Sequence, residues 1–508
     1  MVPTDRYLLL TGATGLLGRS LLRDLSAAGR RLAVLVRADR TNSAESRVDD
    51  LLADWQEVAG VMVATPVVLE GDITQPGLGL TAAATAWVAA NVDELVHSAA
   101  SLSFELRESD GEPLRSNVEG TNNVLAFCRA TGIRRLHHVS SAYVCGLRRG
   151  RILETELDVG QTPGNDYERS KILSETAART AEHLEVCTVH RPSIIVGDLV
   201  HGFTNTFHGF YKPLRIVQPF VEAFLSVAVE AGSLLEVLGM TGAERKNLVP
   251  VDWVSAVMSR IILDRSLHGR TYHLTATKPT PVARLCDVFA SLVGELAAQA
   301  RQDGSANRRT AGFDPATLGR LFSDQMHVYR AYWRDDPTFD AAATQAVAPD
   351  LPAPELDDET IRRLCRFAIR NSFRWPPADR TAPAVAARSL LEQRCGPAIW
   401  GRLASPGGEQ FGLGTFGPGG GQWTIARCGE RNLQLHVGLP PAGIPVAWMS
   451  SALLERLLAG ETDAAAGLAT GGVVVEGGDE LQQEQVLVGL MSLAAGTGTL
   501  DRLPMQPR

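Results

Sequence analysis

A tyrosine and a lysine four positions apart, in Tyr167-Glu168-Arg169-Ser170-Lys171, follow Ser141 of the stretch Ser140-Ser141-Ala142-Tyr143. On a helix, residues i and i+4 share a face, so Lys171 is expected beside Tyr167. A neighbouring ammonium favours the phenolate and is expected to lower the Tyr167 pKa toward neutrality. Tyr167 could then give a proton to a substrate oxygen while hydride reaches the adjacent carbon. Ser141, at the carboxyl end of a strand, could hold the same oxygen. A lone Tyr-x-x-x-Lys is common by chance, and this one takes its meaning from what precedes it.

Near the start of the chain, the apolar run Tyr7-Leu8-Leu9-Leu10 enters Thr11-Gly12-Ala13-Thr14-Gly15-Leu16-Leu17-Gly18. The first glycine permits a tight turn and the second lets backbone approach a pyrophosphate. The third allows the following helix to lie close on the strand, its N-terminus toward the anion. The spacing is Gly-x-x-Gly-x-x-Gly, and Thr11, Gly12, Thr14, Gly15, Leu16, Leu17 and Gly18 are candidate cofactor contacts. The second strand ends in Val36-Arg37, where an NAD-preferring protein usually carries an acid. Arg37 can instead pair with a 2′-phosphate, with Arg47 helping, which makes NADPH (NADP) the expected cofactor.

Weaker candidates surround this set. Ser98-Ala99-Ala100, after a strand, suits a small-residue wall against the cofactor. Asn117 opens a helix, where it could order a water near Lys171 or act as a buried structural amide. His97, His137 and His138 lie on or beside strands and are expected to be structural. Nothing adjacent would activate Cys145 as a nucleophile.

These residues must be positioned by a frame, and from residue 6 to about 275 short apolar strands alternate with helical stretches. YLLL, RLAVLV, VMVATPVVL, DELVH, RRLHHVS and LEVCTVH read as strands, with helices over 16–28, 43–58, 112–130 and 166–183. Such alternation indicates crossover units and a parallel sheet covered on both faces. After the strand-like NLVPV, Asp252 is expected to cap a helix. The fold class expected is α/β: a Rossmann-type, doubly wound parallel sheet with a helical extension and a small C-terminal α+β domain. The boundaries expected are 1–280 for the NADP-binding Rossmann domain with substrate-binding insertions, 281–373 for a helical extension on the substrate side, 374–389 for a Pro/Ala-rich linker and 390–500 for the last domain. Helices are expected over 281–300, 314–334 and 356–370. The last domain reads as a hairpin around Cys428-Gly429-Glu430-Arg431, a helix in SSALLERLLAG, a strand in GGVVVEG and a final helix. Residues 202–240, rich in aromatics, are expected to form a lid over the substrate.

Bulk properties narrow the class. A chain of 508 residues calls for two or three domains. A net charge of −8, with no dense basic tract, argues against a nucleic-acid partner. The 7 cysteines form no Cys-x-x-Cys pair, so neither a zinc site nor a disulfide frame is expected. With a strand starting near residue 6 and no apolar run of ~18 residues, neither a signal peptide nor a membrane span is expected. A cytoplasmic location follows as the expectation, with peripheral membrane contact left open.

The turn TGATGLLG, Tyr167 with Lys171, and Arg191-Pro192-Ser193 resemble the extended short-chain dehydrogenase/reductases. Within that group LVRADRTNSAESRVDDLL (35–52), GDITQPGLGL (71–80), VHSAASLSF (96–104) and VSSAYVCG (139–146) resemble the thioester reductase and fatty acyl-CoA reductase branch. The resemblance covers residues 6 to about 275. It implies that Gly12, Gly15 and Gly18 hold the pyrophosphate, Arg37 and Arg47 the 2′-phosphate, and Asp72 and Ile73 the adenine. It also implies that Ser141, Tyr167 and Lys171 are catalytic, although the branch often has Thr where Ser141 stands. The implied substrate is an acyl-CoA or acyl carrier protein thioester, reduced to an aldehyde and then, in a second round, to an alcohol. Residues 390–500 resemble a sterol-carrier-protein-like domain, which implies a hydrophobic ligand there; a dimerisation or docking module is the other reading. Two alternatives to thioester reduction stand beside it. One is a dehydrogenase or epimerase acting on a free carbonyl, a steroid or isoprenoid alcohol, or a nucleotide sugar. The other is an NADP-binding scaffold that delivers lipid, against which an intact Ser141, Tyr167 and Lys171 argue.

Overall fold

The computed structural model describes residues 6–59, 62–217, 235, 239–302, 326–375, 387–400, 410–428 and 432–495. Seven parallel strands form the central sheet: β1 (Tyr7–Thr11), β2 (Leu32–Val36), β3 (Val67–Glu70), β4 (Val92–His97), β5 (Arg135–Val139), β6 (Val186–Pro192) and β7 (Thr271–Leu274). Their spatial order is β7-β6-β5-β4-β1-β2-β3. The order reverses between β1 and β4, and in such sheets ligands bind outside the carboxyl ends of the strands at that switch point. Every residue of β1 and β2 is buried, as expected for parallel strands covered on both faces.

Helices α1 (Leu16–Ala27), α2 (Ala44–Ala59), α3 (Ala82–Asn91), α4 (Gly120–Thr131), α5 (Asp166–Arg179) and α6 (Val251–Leu263) cover the sheet. Leu17, Leu21, Leu22 and Leu25 of α1 pack with Val254, Val257 and Ile261 of α6 on one face. Trp87, Val88, Val124 and Cys128 of α3 and α4 fill the other. Each such side chain contributes about 1.5–3 kcal/mol through burial. Local signals set the ends: Asn165 caps α5 by accepting the Glu168 N–H at 2.9 Å, and Gly132 (φ 77°) closes α4 in the left-handed conformation. Asp252 departs from expectation. Pro250 occupies the cap of α6, and the Asp252 carboxylate accepts the N–H of Leu199 instead.

Past β7, α7 (Val282–Gln302) and α8 (Asp358–Arg370) carry the helical extension and build a core with Phe210, Tyr211 and Leu214. Of the expected helix 314–334, residues up to 325 lie outside the described residues, and 327–332 form a short 3₁₀ turn. Most of the Pro/Ala-rich segment 374–389 is also outside them.

The C-terminal unit has a five-stranded mixed sheet of β8 (Gln410–Phe416), β9 (Gln422–Cys428), β10 (Asn432–Val437), β11 (Val446–Ser450) and β12 (Val474–Glu476), ordered β10-β9-β8-β11-β12. Helices α9 (Ala387–Cys395), α10 (Ser451–Leu458), α11 (Ala464–Ala469) and α12 (Glu480–Ala495) accompany it, around a core that includes Leu413, Ile425, Leu454 and Leu490. β9 and β10 are the expected hairpin. β8 and β11 were not legible in the sequence, because Gly412 and Gly414 interrupt the first and the second is short.

This unit is stitched to the first one. Residues expected to extend a strand through 61–69 instead leave β3 short, and Ala64 bridges Phe416 across the boundary. Thr65 donates to the Thr415 carbonyl at 3.1 Å, Trp87 Nε1 to the Val437 carbonyl at 2.9 Å, and Leu439 N–H to the Tyr7 hydroxyl at 2.6 Å.

Beneath the carboxyl ends of β5 and β6, Arg191 and Glu175 form a fully buried, two-pronged pair at 2.9 and 2.7 Å. Burial opposes ionisation of Glu175, but Arg191 and Arg179 outweigh it and hold the carboxyl below its usual range. This stabilisation is present above the ordinary glutamate pKa and is lost as pH falls through the lowered one. Glu175→Ala, which strands a buried guanidinium, is expected to cost about 3–5 kcal/mol in urea unfolding. A loss below about 1 kcal/mol would show that water or another group replaces the carboxylate.

Candidate active site

The turn between β1 and α1 is built by close approach. A side-chain carbon on Gly12 (φ 75°) would lie 2.6 Å from the Ala99 nitrogen, and one on Gly18 would lie 2.0 Å from the Gly12 carbonyl oxygen. Gly15 is the exposed glycine at the N-cap of α1, where no side chain caps the helix and the first turn holds no acid. Open first-turn N–H groups with glycine backbone beside them suit a pyrophosphate. These features fit a dinucleotide.

Around this turn the expected contacts divide. Leu16, Leu17, Ser98 and Ala100 line the main cavity with Gly12, Gly15 and Gly18. Thr11 is fully buried, its hydroxyl shared between His97 Nδ1 at 2.9 Å and the Ala99 N–H at 3.3 Å. It therefore positions the Ser98-Ala99-Ala100 wall rather than facing a ligand. Arg47 reaches the Thr14 hydroxyl at 3.4 Å and also donates to the Arg37 carbonyl. Arg37 is exposed and meets Asp72 at 3.4 Å. Burial disfavours the charged form of Asp72, yet the Thr74 N–H and hydroxyl, with Arg37, leave its carboxyl below the usual range. Ile73 is buried against Gly120. Leu78, in the left-handed conformation at φ 58°, is fully buried and anchors the Gly71–Leu80 turn.

On the other side of the switch point, Ser141, Tyr167 and Lys171 converge at the cavity. The Ser141 hydroxyl accepts the Tyr143 N–H at 3.2 Å and lies near enough to the Tyr167 phenol to favour its ionised form. Lys171 Nζ lies 6.0 Å from the Tyr167 ring centroid and donates to the Val139 carbonyl at 2.9 Å. The expected lowering of the Tyr167 pKa does not occur in this arrangement. Burial pushes the phenol up to about 12, against the opposing influence of Ser141. The ammonium is turned to a strand carbonyl, and burial brings Lys171 itself down to about 8.

Asn117 sits in a single π turn (Arg115–Glu119). Its amide nitrogen donates to the Ser101 carbonyl at 3.0 Å and Ser170 Oγ at 2.8 Å, and its oxygen accepts the Ser101 N–H at 2.7 Å. Both amide hydrogens are committed, so its partners are those of the structural alternative. His97 bridges Thr11 and Thr121 and burial lowers it to about 3, a neutral structural histidine. His137 pairs with Glu94 and His190. Burial lifts the Cys145 thiol to about 12, consistent with an inert residue.

The cavity, about 460 Å³, continues past Tyr167 into the extension, which the sequence placed on the substrate side without a finer role. Leu285, Phe289, Met326, Tyr329, Tyr332 and Trp333 form its far wall. From the expected lid, Thr206, His208, Phe210 and Met240 contribute, while 218–234 and 236–238 lie outside the described residues. Asn205, beside Thr206, donates to the Thr14 carbonyl at 3.0 Å, so this loop crosses the glycine turn. Phe104 gathers three aromatic rings, with Tyr167 at 5.8 Å, Tyr329 at 5.0 Å and Tyr332 at 5.4 Å between centroids. The aromatic content of 202–211 hinted at this wall; nothing periodic marked Phe104 or Tyr332.

Comparison with known proteins fits this geometry. Residues 10–258 match the Male sterility protein family, an NAD-binding family. That match spans the glycine turn and the Ser141, Tyr167 and Lys171 set, and ends within α6, before the extension. Fatty acyl-CoA reductase wat of Drosophila melanogaster is 24% identical over 282 residues, 49% of this chain and 52% of that protein. Peramine synthetase A of Epichloe festucae is 26% identical over 352 residues, 65% of this chain and 12% of that protein. The chain thus spans about half the length of the first relative and far less of the second. In fold, the chain is similar to the terminal R domain from the myxalamid PKS-NRPS pathway, with TM-score 0.56 and 23% identity over 74% of this chain and 94% of that one. Among the described residues no helix is long and apolar enough to cross a membrane.

If the Lys171 ammonium is needed, activity should fall as pH rises through about 8, where its proton is lost. Lys171→Arg, charged throughout, should flatten that alkaline limb of kcat/KM. A rate that keeps rising to pH 9 in the unaltered protein would reject a need for the charge.

Proposed function

We propose that this chain is an NADPH-dependent reductase that converts an acyl thioester, on CoA or an acyl carrier protein, to an aldehyde and in a second round to an alcohol. The observation that carries the reading is the meeting of Ser141, Tyr167 and Lys171 with one end of a largely apolar cavity. Such a cavity can take an acyl chain by burial, whereas a nucleotide sugar would demand many more polar partners. The relatives named above support the reading through the fatty acyl-CoA reductase.

In this reading Gly12, Gly15, Gly18 and the first turn of α1 hold the pyrophosphate, with Thr14, Leu16 and Leu17 beside it. Arg37 and Arg47 take the 2′-phosphate, Asp72 and Ile73 border the adenine, and Ser98 and Ala100 wall the nicotinamide end. When bound, the reduced nicotinamide supplies hydride. Tyr167, kept a phenol by burial, protonates the developing oxyanion while Ser141 orients it. Lys171 supplies positive charge behind the phenol. Thr11, Ala99 and Asn117 hold the walls in place.

Loss of NADPH absorbance is expected with a long-chain acyl-CoA, compared with carrier-bound thioesters and steroids; no turnover of any thioester would reject the reading. Arg37→Ala is expected to erode the preference for NADPH over NADH by about tenfold, the worth of one charged hydrogen bond. An unchanged ratio would place the 2′-phosphate elsewhere. For the C-terminal unit we propose the sterol-carrier-like reading, a hydrophobic ligand among its helices. Methyl NMR shifts at Leu454 and Leu490 on adding a fatty acid are expected, and shifts confined to the main cavity would refute a second site.

A further inference from the structure

We infer that Glu94, His137 and His268 form a binding site for a zinc ion, which pins the loop entering β7 to the middle of the sheet. Glu94 stands on β4, His137 on β5 and His268 in the loop between α6 and β7. Their ligand atoms all lie within 4.8 Å of one another. None of the three lines the main cavity, so the site is separate from the proposed chemistry. The side chains are only 3%, 1% and 4% exposed, so what joins them must stand in for bulk water.

Two imidazoles and a carboxylate are a donor set that zinc takes, with bonds of about 2.0–2.1 Å. Around a tetrahedral ion at that distance, ligand atoms sit about 3.3 Å apart. Glu94 Oε1 lies 3.1 Å from His137 Nε2 and 3.5 Å from His268 Nδ1. Hydrogen-bond roles then separate this trio from an ordinary polar cluster. His268 Nε2 faces the Ile262 carbonyl at 3.1 Å; a carbonyl only accepts, so the N–H of the neutral ring is there. Its Nδ1 therefore turns a bare lone pair toward a carboxylate oxygen. Two acceptors face each other, and a cation between them resolves the opposition. Both rings are also held from behind, as those of zinc ligands are: His268 by Ile262, and His137 Nδ1 by His190 Nε2 at 3.1 Å. They meet edge to face, with centroids 4.5 Å apart.

Arg30 is the neighbouring positive charge. It approaches the other carboxylate oxygen, Oε2, at 3.5 Å and is balanced by Asp93 at 3.2 Å, which leaves Oε1 to the two rings. Asp93 also pairs with Arg265 of the His268 loop at 2.7 Å. Asp264, Arg265 and Ser266 are exposed, so an ion has a short path in from that loop. Three protein ligands leave a fourth corner for water. The site uses no cysteine, so the missing Cys-x-x-Cys pair has no bearing on it.

The test uses the full chain, stripped with a chelator and titrated with Zn²⁺, Co²⁺ or Mg²⁺. One equivalent of Zn²⁺ should stay bound through gel filtration and raise the melting temperature, because an ion that binds only the folded chain stabilises it. Mg²⁺, which prefers oxygen ligands, should do neither. Co²⁺ should give the strong visible absorption of a tetrahedral site. His268→Gln, on a loop, and Glu94→Gln should each bind Zn²⁺ at least roughly 100-fold more weakly, since losing even an outer partner costs about 10–100-fold. No retained Zn²⁺, or retention undiminished in both variants, would overturn the site. Should the variants fail to fold, the cobalt spectrum of the unaltered protein decides, and the weak absorption of octahedral, water-bound cobalt would overturn it.

Discussion

An ammonium held inside the protein must find its solvation there, and Lys171 finds it in two places. The Val139 carbonyl at the end of β5 accepts its proton at 2.9 Å, and Glu175 lies one helical turn further along α5. Glu175 is in turn locked by Arg191 of β6. Removing one member of such a chain leaves an uncompensated charge in a low dielectric, so β5, α5 and β6 are bound into one unit. That unit sets Tyr167, one turn before Lys171, against Ser141, two residues past β5. The charge proposed to serve the chemistry and the charges that hold the sheet together are parts of the same chain of contacts.

The cavity divides between two parts of the chain. Glycine turn, phenol and ammonium come from the region that matches the Male sterility protein family, whereas the far wall comes from α7 and residues 326–333. The reacting end is polar and rigidly hydrogen-bonded; the other is carbon, aromatic and thioether. A substrate held by burial along one end can be turned over by directional groups at the other, and the two demands do not compete for the same residues.

Much of the sheet was legible because its strands are short apolar runs between glycine turns and amphipathic helices. The glycine turn could be read residue by residue, since each glycine answers a distinct steric need that the structure bears out at Gly12 and Gly18. Thr11 misled because position in a motif does not reveal which way a hydroxyl points; it faces His97, which comes from another strand. The Tyr167 pKa misled for a related reason: sequence spacing gave the Lys171 neighbour but not the depth of burial, and burial wins. Phe104, Tyr329 and Tyr332 carry no periodic signal, and only tertiary folding brings them together.

The bridge from Ala64 to Phe416 gives the C-terminal sheet a second role. β3 is the outermost strand of the large sheet, and the segment leading into it exchanges backbone hydrogen bonds with Thr415 and Gly417. An uncovered strand edge is a template for pairing with another chain. By pairing with that lead-in segment and accepting the Trp87 N–H, the C-terminal unit satisfies backbone groups at this margin that would otherwise need another partner.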